Sequence, residues 1–356
     1  MKRILMLLPR LPDLRGTVLA WVTFSPSARG TGVRHIADGR RGRLSMKAAA
    51  AWALLALGGL DWIWAYYAGL TFTHWQVIVL VMALLLALGV FYSASGRSGQ
   101  LADIAHYAAL YLAFMVTGTI FTYLTASLRL PLWDAELASI DSALGFNWLA
   151  WFQFVEAHRM LKLLLVVAYG TLTLQVIGSI IYFSHVGRRD RNDELWWCAM
   201  VSLLITAVMS GIFPAIGAFV TYGVPAHAQA THLPHLLALR DGSISSFALD
   251  TMQGIITMPS YHTVLAILLI YVHRGQRVWF PAVAVINGLM LVSVPSEGGH
   301  YLVDMLAGGA VAALSVMALR AAMRVGHLPG PQSVSLGRSV AQARPEEGTE
   351  NKSNLA

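Results

Sequence analysis

The stretch SVPSEGGHYLVDMLAGG, residues 293–309, decides the fold because it joins two apolar segments of membrane-helix length. We predict helices over 278–296 and 300–323, separated by only a brief polar turn, and therefore a hairpin that crosses a bilayer twice. Gly308 and Gly309 have no side chain, so a neighbouring helix can approach their backbone closely. Both are therefore predicted to allow close helix packing just after the turn.

The composition extends this prediction to most of the chain. Hydrophobic residues make up 56% of the 356 residues and charged residues only 12%, which is too apolar for an ordinary soluble domain. The apolar runs are continuous rather than alternating, which favours membrane helices over barrel strands. We predict an all-α, polytopic membrane helical bundle of about eight transmembrane helices, at 47–70, 75–95, 104–128, 161–186, 195–218, 258–273, 278–296 and 300–323.

The distribution of positive charge predicts which side of the membrane each loop occupies. Residues 1–46 form a predicted basic, disordered arm, residues 47–323 the membrane domain, and residues 324–356 a disordered tail. Lys and Arg collect in the arm, the tail and alternate connections, which places those segments and both termini in the cytoplasm, inside an inner or plasma membrane. Because this layout accounts for the formal net charge of +7, no nucleic-acid partner is predicted.

Two histidines open helices on the opposite, extracytoplasmic side. The motif MPSYHT, residues 258–263, places His262 at the start of one helix, and His300 opens the last helix. Both imidazoles are therefore predicted to face one cavity. Asp304 follows His300 by one helical turn, so its carboxylate can hold the second nitrogen of that imidazole.

Such a set of groups suits phosphoryl transfer, which needs a nucleophile, an acid for the leaving oxygen and donors around the phosphate. His300, oriented by Asp304, is the predicted nucleophile, and His262 is the predicted acid. The motifs of this site fall within 240–309. Four phosphate contacts are predicted. Arg240 and Ser260 contribute their side chains, and backbone amides near Gly298 and Gly299 are predicted to bind phosphate at a helix N-terminus.

The two motifs resemble a known family. PSYH at 259–262 and GGHYLVDMLAG at 298–308 resemble the second and third signatures of the phosphatidic acid phosphatase type 2 superfamily, and more narrowly its inositolphosphotransferase-like branch, which includes inositol phosphorylceramide synthases. The resemblance implies a six-helix catalytic core, lipid phosphate or diphosphate substrates, and a phosphohistidine intermediate without metal or other cofactor. It also implies the roles of acid, nucleophile, nucleophile partner and phosphate contact for His262, His300, Asp304 and Ser260.

The chain departs from the common phosphatase pattern at several positions. Tyr261 replaces a glycine and Val294 an arginine, while Arg240 lacks the Lys and Pro of the first signature, with Leu233 and Asp241 in the corresponding places. The inositolphosphotransferase-like branch tolerates these changes. The sequence thus leaves open whether water or an alcohol, such as an inositol lipid or a ceramide-like acceptor, receives the phosphoryl group.

Two further interpretations of the same residues remain open. His262, His300 and Asp304 can form a two-histidine, one-carboxylate metal site in a metal-dependent hydrolase. Alternatively, buried histidines can relay protons in a lipid carrier or transporter without phosphorus chemistry.

Segment 130–160 mixes tryptophans with acids at near-helical spacing, which is typical of an interfacial helix. We predict that this helix lies on the extracytoplasmic surface. Asp134 and Asp141 are predicted to act as its caps, with contact to a polar headgroup as the alternative.

Overall fold

Helices make up most of the part of the chain that the computed structural model describes, residues 46–224 and 232–324. The predicted arm and tail, apart from Met46 and Arg324, lie outside those residues. Two three-residue strands, β1 (Thr71–Thr73) and β2 (Ser246–Ala248), pair in parallel. The helices are α1 (Met46–Ala68), α2 (Trp75–Ser95), α3 (Gly99–Ala126), α4 (Asp134–Ala143), α5 (Trp148–Ala157), α6 (Arg159–Gly170), α7 (Leu172–His185), α8 (Arg189–Ile212), α9 (Ala218–Thr221), α10 (Leu233–Asp241), α11 (Tyr261–Val272), α12 (Trp279–Gly298) and α13 (Leu302–Arg324).

Six helices of the described chain are long and apolar enough to cross a membrane, namely α1, α2, α3, α8, α12 and α13, which makes this a multi-pass membrane protein. The predicted span 161–186 is two helices, α6 and α7, bent by 48°. Gly170 forms helices poorly, and the Thr171 hydroxyl donates to the Ala168 carbonyl, so both weaken the helix at the bend. Length and composition alone support six spans, or seven with the bent pair; the predicted count of about eight also needs the 12-residue α11 to cross and stays a prediction.

Charged side chains pair at one end of the bundle, which we call the arginine end because Arg189, Arg191 and Arg274 lie there. Arg274 Nη2 lies 2.7 Å from Glu194 Oε1, and Arg191 Nη1 lies 2.9 Å from Glu194 Oε2. Arg189 donates to Asp103. Because these charges are paired, α8 begins at Arg189, earlier than the predicted residue 195.

The 12-residue helix α11 lies inside the bundle and packs against α7, α8, α12 and α13. Eight of its residues are buried, as expected of a helix that is apolar on all sides and surrounded by protein. The backbone N–H of Ser260, just before α11, donates to the Asp304 carbonyl in α13 at 3.0 Å. This bond fixes the start of α11 against the first turn of α13. We call this end of the bundle the histidine end.

Gly308 makes that contact possible. A Cβ atom at residue 308 would lie 2.6 Å from the Ser260 carbonyl oxygen and 3.1 Å from Thr263 Cβ. At Gly309 the nearest atom to such a Cβ would be Ile267 Cδ1, at an ordinary 3.7 Å. The prediction of close packing is therefore confirmed at Gly308, whereas Gly309 has room for a methyl group.

We expect Gly308→Ala to lower the free energy of unfolding by about 1–3 kcal/mol, because the methyl group must push α11 away from α13. The matched variant Gly309→Ala keeps the contact and gains helix propensity, so its stability should equal or exceed that of the wild type. Thermal unfolding of the three proteins in the same detergent measures the difference. Equal melting temperatures for the two variants would contradict the assigned contact.

Candidate active site

The first turn of α11 presents His262. Ser260 caps this helix, since its buried Oγ accepts from the backbone N–H of Thr263 at 3.4 Å. The His262 imidazole stacks on the Tyr169 ring, with centroids 4.2 Å apart and planes 12° apart. The Tyr169 hydroxyl lies 3.4 Å from His262 Nδ1. Tyr169 therefore fixes the plane of this imidazole.

His300 lies between α12 and α13, two residues before the last helix begins. Its Nδ1 lies 3.4 Å from Oδ2 of Asp304, so the structure brings the predicted pair together. The same carboxylate oxygen accepts from the backbone N–H of Tyr301 at 2.9 Å, as an acid in the first turn does in a capping box. His300 is 4% exposed and Asp304 is fully buried, so water screens this pair little.

The two histidines share one site. His262 is close enough to His300 for a positive charge on one imidazole to disfavour a positive charge on the other. A Cβ atom at Gly298 would lie 2.7 Å from His300 Cδ2 and 2.8 Å from the Tyr169 hydroxyl oxygen. The absence of a side chain at Gly298 therefore lets His300 and Tyr169 approach each other.

The prediction that Gly298 and Gly299 lie at a helix N-terminus is wrong. Gly298 is the last residue of α12, and Gly299, with φ of 64°, ends that helix in the left-handed conformation that glycine adopts easily. The N-terminus of α13 is already occupied, because the Asp141 carboxylate accepts from the backbone N–H groups of Leu302 at 2.7 Å and Val303 at 2.9 Å. An anion cannot also take those two donors.

Helices α4 and α5 hold the segment 295–303, which we call the histidine turn. The buried Trp148 indole N–H donates to the carbonyls of Pro295 and His300, both at 3.1 Å. Burial raises the pKa of Asp141, and the hydrogen bonds from Leu302 and Val303 lower it by less than burial raises it. Residues of the predicted interfacial segment thus position the histidine turn.

Asp134 holds a second part of the same end. Its carboxylate accepts from the backbone N–H groups of Ile216 and Gly217, the shortest bond being 2.8 Å, and from the Tyr301 hydroxyl at 3.0 Å. The prediction that Asp134 and Asp141 cap their own helix is therefore wrong. Each carboxylate instead joins α4 to a distant part of the chain, where it accepts from backbone N–H groups that no helix or strand bond would otherwise satisfy.

Arg240 is bonded to the segment before α4. Its Nη2 donates to the Leu130 carbonyl at 2.7 Å, and the negative charge of the Asp134 carboxylate favours its charged form. Its Nη1 is buried and has no partner among the described residues. Within those residues, Arg240 bonds to the segment before α4 and to neither histidine.

Sequence reasoning missed two residues of the site, Tyr169 and Glu297. Glu297 is 1% exposed in the histidine turn, and its charge acts on the Tyr169 hydroxyl. An acid at the end of a membrane helix is a signal that could have identified Glu297. Tyr169 lies 93 residues before His262 in an apolar run, and no local pattern marks it.

Metal ligation has no geometric support in the described part of the chain. Residues 46–224 and 232–324 contain no group of three or more His, Cys, Asp or Glu side chains placed to hold a metal ion. The alternative of a two-histidine, one-carboxylate site therefore gains nothing from the arrangement of His262, His300 and Asp304.

We expect Asp141→Ala to lower the free energy of unfolding by about 1–3 kcal/mol, because two buried N–H groups at the start of α13 lose their acceptor. Glu136→Ala removes an exposed acid from the same helix and should change stability little. Thermal unfolding and amide exchange at Leu302 and Val303 measure both effects. Unchanged exchange protection in Asp141→Ala would contradict the role given to this carboxylate.

Comparison with known protein families agrees with the site geometry. Residues 135–318, just over half of the chain, match the family model described as PAP2 superfamily, and this segment contains His262, His300 and Asp304. No curated protein and no solved structure matches the chain significantly. The superfamily generally hydrolyses phosphate esters, which supports an enzymatic role. On the match to its family model, the chain belongs to the PAP2 superfamily.

Proposed function

We propose that this protein is a membrane phosphatase or phosphotransferase of lipid phosphates that forms a phosphohistidine at His300. The observation that carries the proposal is the meeting of His300, paired with Asp304, and His262 in one buried site. Membership of the PAP2 superfamily supports a phosphatase-type function on lipid phosphate and a membrane setting for the substrate.

The reaction divides into two steps. Asp304 lies beside Nδ1 of His300, so Nε2 is the nitrogen proposed to attack phosphorus, and its contact with the Thr257 backbone must give way to the substrate. As the N–P bond forms, the bond from phosphorus to the lipid oxygen breaks, and His262 gives its proton to that oxygen. Water or an acceptor alcohol then attacks phosphorus and gives its proton to His262, and the N–P bond breaks. The cycle restores both histidines and needs no cofactor.

Four residues are proposed phosphate contacts, for different reasons. The buried Nη1 of Arg240 has no partner among the described residues, which supports a bond to a phosphate oxygen or a headgroup. The hydroxyl hydrogen of Ser260 remains a donor, because its oxygen acts as the acceptor in the helix cap. Gly298 packs its backbone against His300, and the backbone amides near Gly298 and Gly299 are the proposed donors.

The site is proposed to lie on the extracytoplasmic side of an inner or plasma membrane. The arginines of the arginine end support this orientation, since positive residues favour the cytoplasm. With α6–α7 and α11 each counted as a crossing, residues 47–323 cross eight times and leave both termini in the cytoplasm. Helices α6, α7, α8, α11, α12 and α13 would then form the catalytic core.

The acceptor is proposed to be an alcohol in an inositolphosphotransferase-like reaction, with water as the alternative. At the position where phosphatases have a glycine, the Tyr261 hydroxyl donates to the Ala199 carbonyl of α8 at 2.9 Å. Val294, in the place of an arginine, is fully buried. Both positions thus serve packing, so phosphate binding must depend on other groups than in the common phosphatases.

Lipid transport without phosphorus chemistry remains a second candidate. The bend between α6 and α7 directly follows Tyr169, the residue stacked on His262. Broken helices next to a buried site are common in transporters. Lipid movement between vesicle leaflets, with no phosphate released, would favour this candidate.

With chelator present, purified protein should release phosphate, or transfer a headgroup to added ceramide, from one member of a panel of lipid phosphates, diphosphates and phosphatidylinositol. His300→Ala should abolish turnover, and His262→Ala should slow it by about 10²–10⁴-fold, the usual contribution of a general acid.

His158→Ala, which changes an exposed histidine between α5 and α6, is the matched control and should keep wild-type turnover. Full activity of His300→Ala, or activity that chelation removes, would overturn the proposed mechanism.

A further inference from the structure

Tyr169 touches His262 on the side of Nδ1. The stacked rings lie 4.2 Å apart, and the hydroxyl at 3.4 Å is at the long end of hydrogen-bonding distance from Nδ1. With Nδ1 on this side, Nε2 is the nitrogen left for a substrate.

Glu297 approaches the same hydroxyl from the histidine turn. Its side chain is 1% exposed, and its negative charge acts on the Tyr169 hydroxyl. The adjacent Gly298 brings the turn so close that a Cβ atom there would lie 2.8 Å from the hydroxyl oxygen. The Tyr169 hydroxyl therefore lies between the imidazole of His262 and the segment that carries Glu297.

Hydrogen bonds tie the bend after Tyr169 to helix α12. Gln175 Nε2 donates to the Thr171 hydroxyl at 3.0 Å, and Asn287 Nδ2 donates to Gln175 Oε1 at 2.7 Å. Asn287 and Glu297 belong to the same helix, α12. The bend that follows Tyr169 is thus tied to the helix whose end carries the acid.

We propose that Tyr169 and Glu297 are positioning residues that orient His262 as the acid and offset part of the cost that burial places on its protonated form. This inference rests on the phosphoryl-transfer function proposed above. A protonated imidazole carries N–H groups on both nitrogens, and a buried N–H without an acceptor is costly. In the proposed arrangement the Tyr169 oxygen accepts from Nδ1–H, and the negative charge of Glu297 holds the hydroxyl hydrogen on the side away from the imidazole. The Nε2 proton then passes to the leaving alcohol and returns from the attacking water or alcohol.

The dependence of rate on the leaving group distinguishes this role from a structural one. An alkyl alcohol must be protonated as it leaves, whereas a nitrophenolate leaves without a proton. Tyr169→Phe, which keeps the ring, and Glu297→Gln should each lower kcat for an alkyl lipid phosphate by about tenfold or more, a part of what a general acid contributes. The same variants should hydrolyse a nitrophenyl phosphate amphiphile at nearly the wild-type rate, with KM unchanged.

Two control variants match these changes away from the site. Tyr182→Phe removes a hydroxyl that bonds to Gln276 at 2.9 Å near the arginine end, and Asp61→Asn removes a buried carboxyl of α1. Neither should alter the ratio of the two rates. Equal slowing of both esters by Tyr169→Phe, or no slowing of either, would overturn the inference. If the wild type neither hydrolyses either ester nor transfers its phosphoryl group to an added alcohol, or if His300→Ala keeps its activity, the proposed function itself fails.

Discussion

The site depends on one close approach between two helices. The backbone N–H of Ser260 donates to the Asp304 carbonyl at 3.0 Å, and this contact exists only because Gly308 has no side chain. His262 follows Ser260 by two residues, and His300 precedes Asp304 by four. One backbone bond thus sets the distance between an imidazole in the first turn of α11 and one just before α13, and a shift of α11 against α13 would separate them.

Polar backbone in a membrane is tolerated only where protein surrounds it. The site contains three such places: the start of α11, the histidine turn and the bend between α6 and α7. Asp141 and Trp148 satisfy the donors and acceptors of the turn, and Tyr169 packs over the first turn of α11. Helices α4 and α5, which precede both histidine motifs in sequence, are therefore part of the candidate site.

Local patterns predicted the features that depend on neighbouring residues. Apolar runs indicated the membrane helices, the four-residue spacing paired His300 with Asp304, and Gly308 marked a close contact. The bonds that complete the site join residues far apart in the chain: Asp141 and Leu302 are 161 residues apart, and Tyr169 and His262 are 93 apart. No local period encodes such pairs, so the roles of Asp141, Trp148 and Tyr169 could not be read from the sequence.

The predicted ends of some membrane helices differ from the observed ends for a related reason. Hydropathy measures transfer to lipid, but α8 extends to Arg189 because Asp103 and Glu194 pair the charges at that end. Helix α11 needs only 12 residues because protein surrounds it. Both outcomes depend on partners that a window along the sequence does not contain.

The most direct test is to trap the covalent intermediate. Protein mixed with a lipid phosphate that carries a radioactive phosphoryl group is quenched in alkali, where phosphohistidine survives, and the labelled peptide is identified. The mechanism predicts an acid-labile label on His300, lost in His300→Ala and retained in the Tyr182→Phe control. Turnover without any label, or with the label on another residue, would contradict a phosphohistidine at His300.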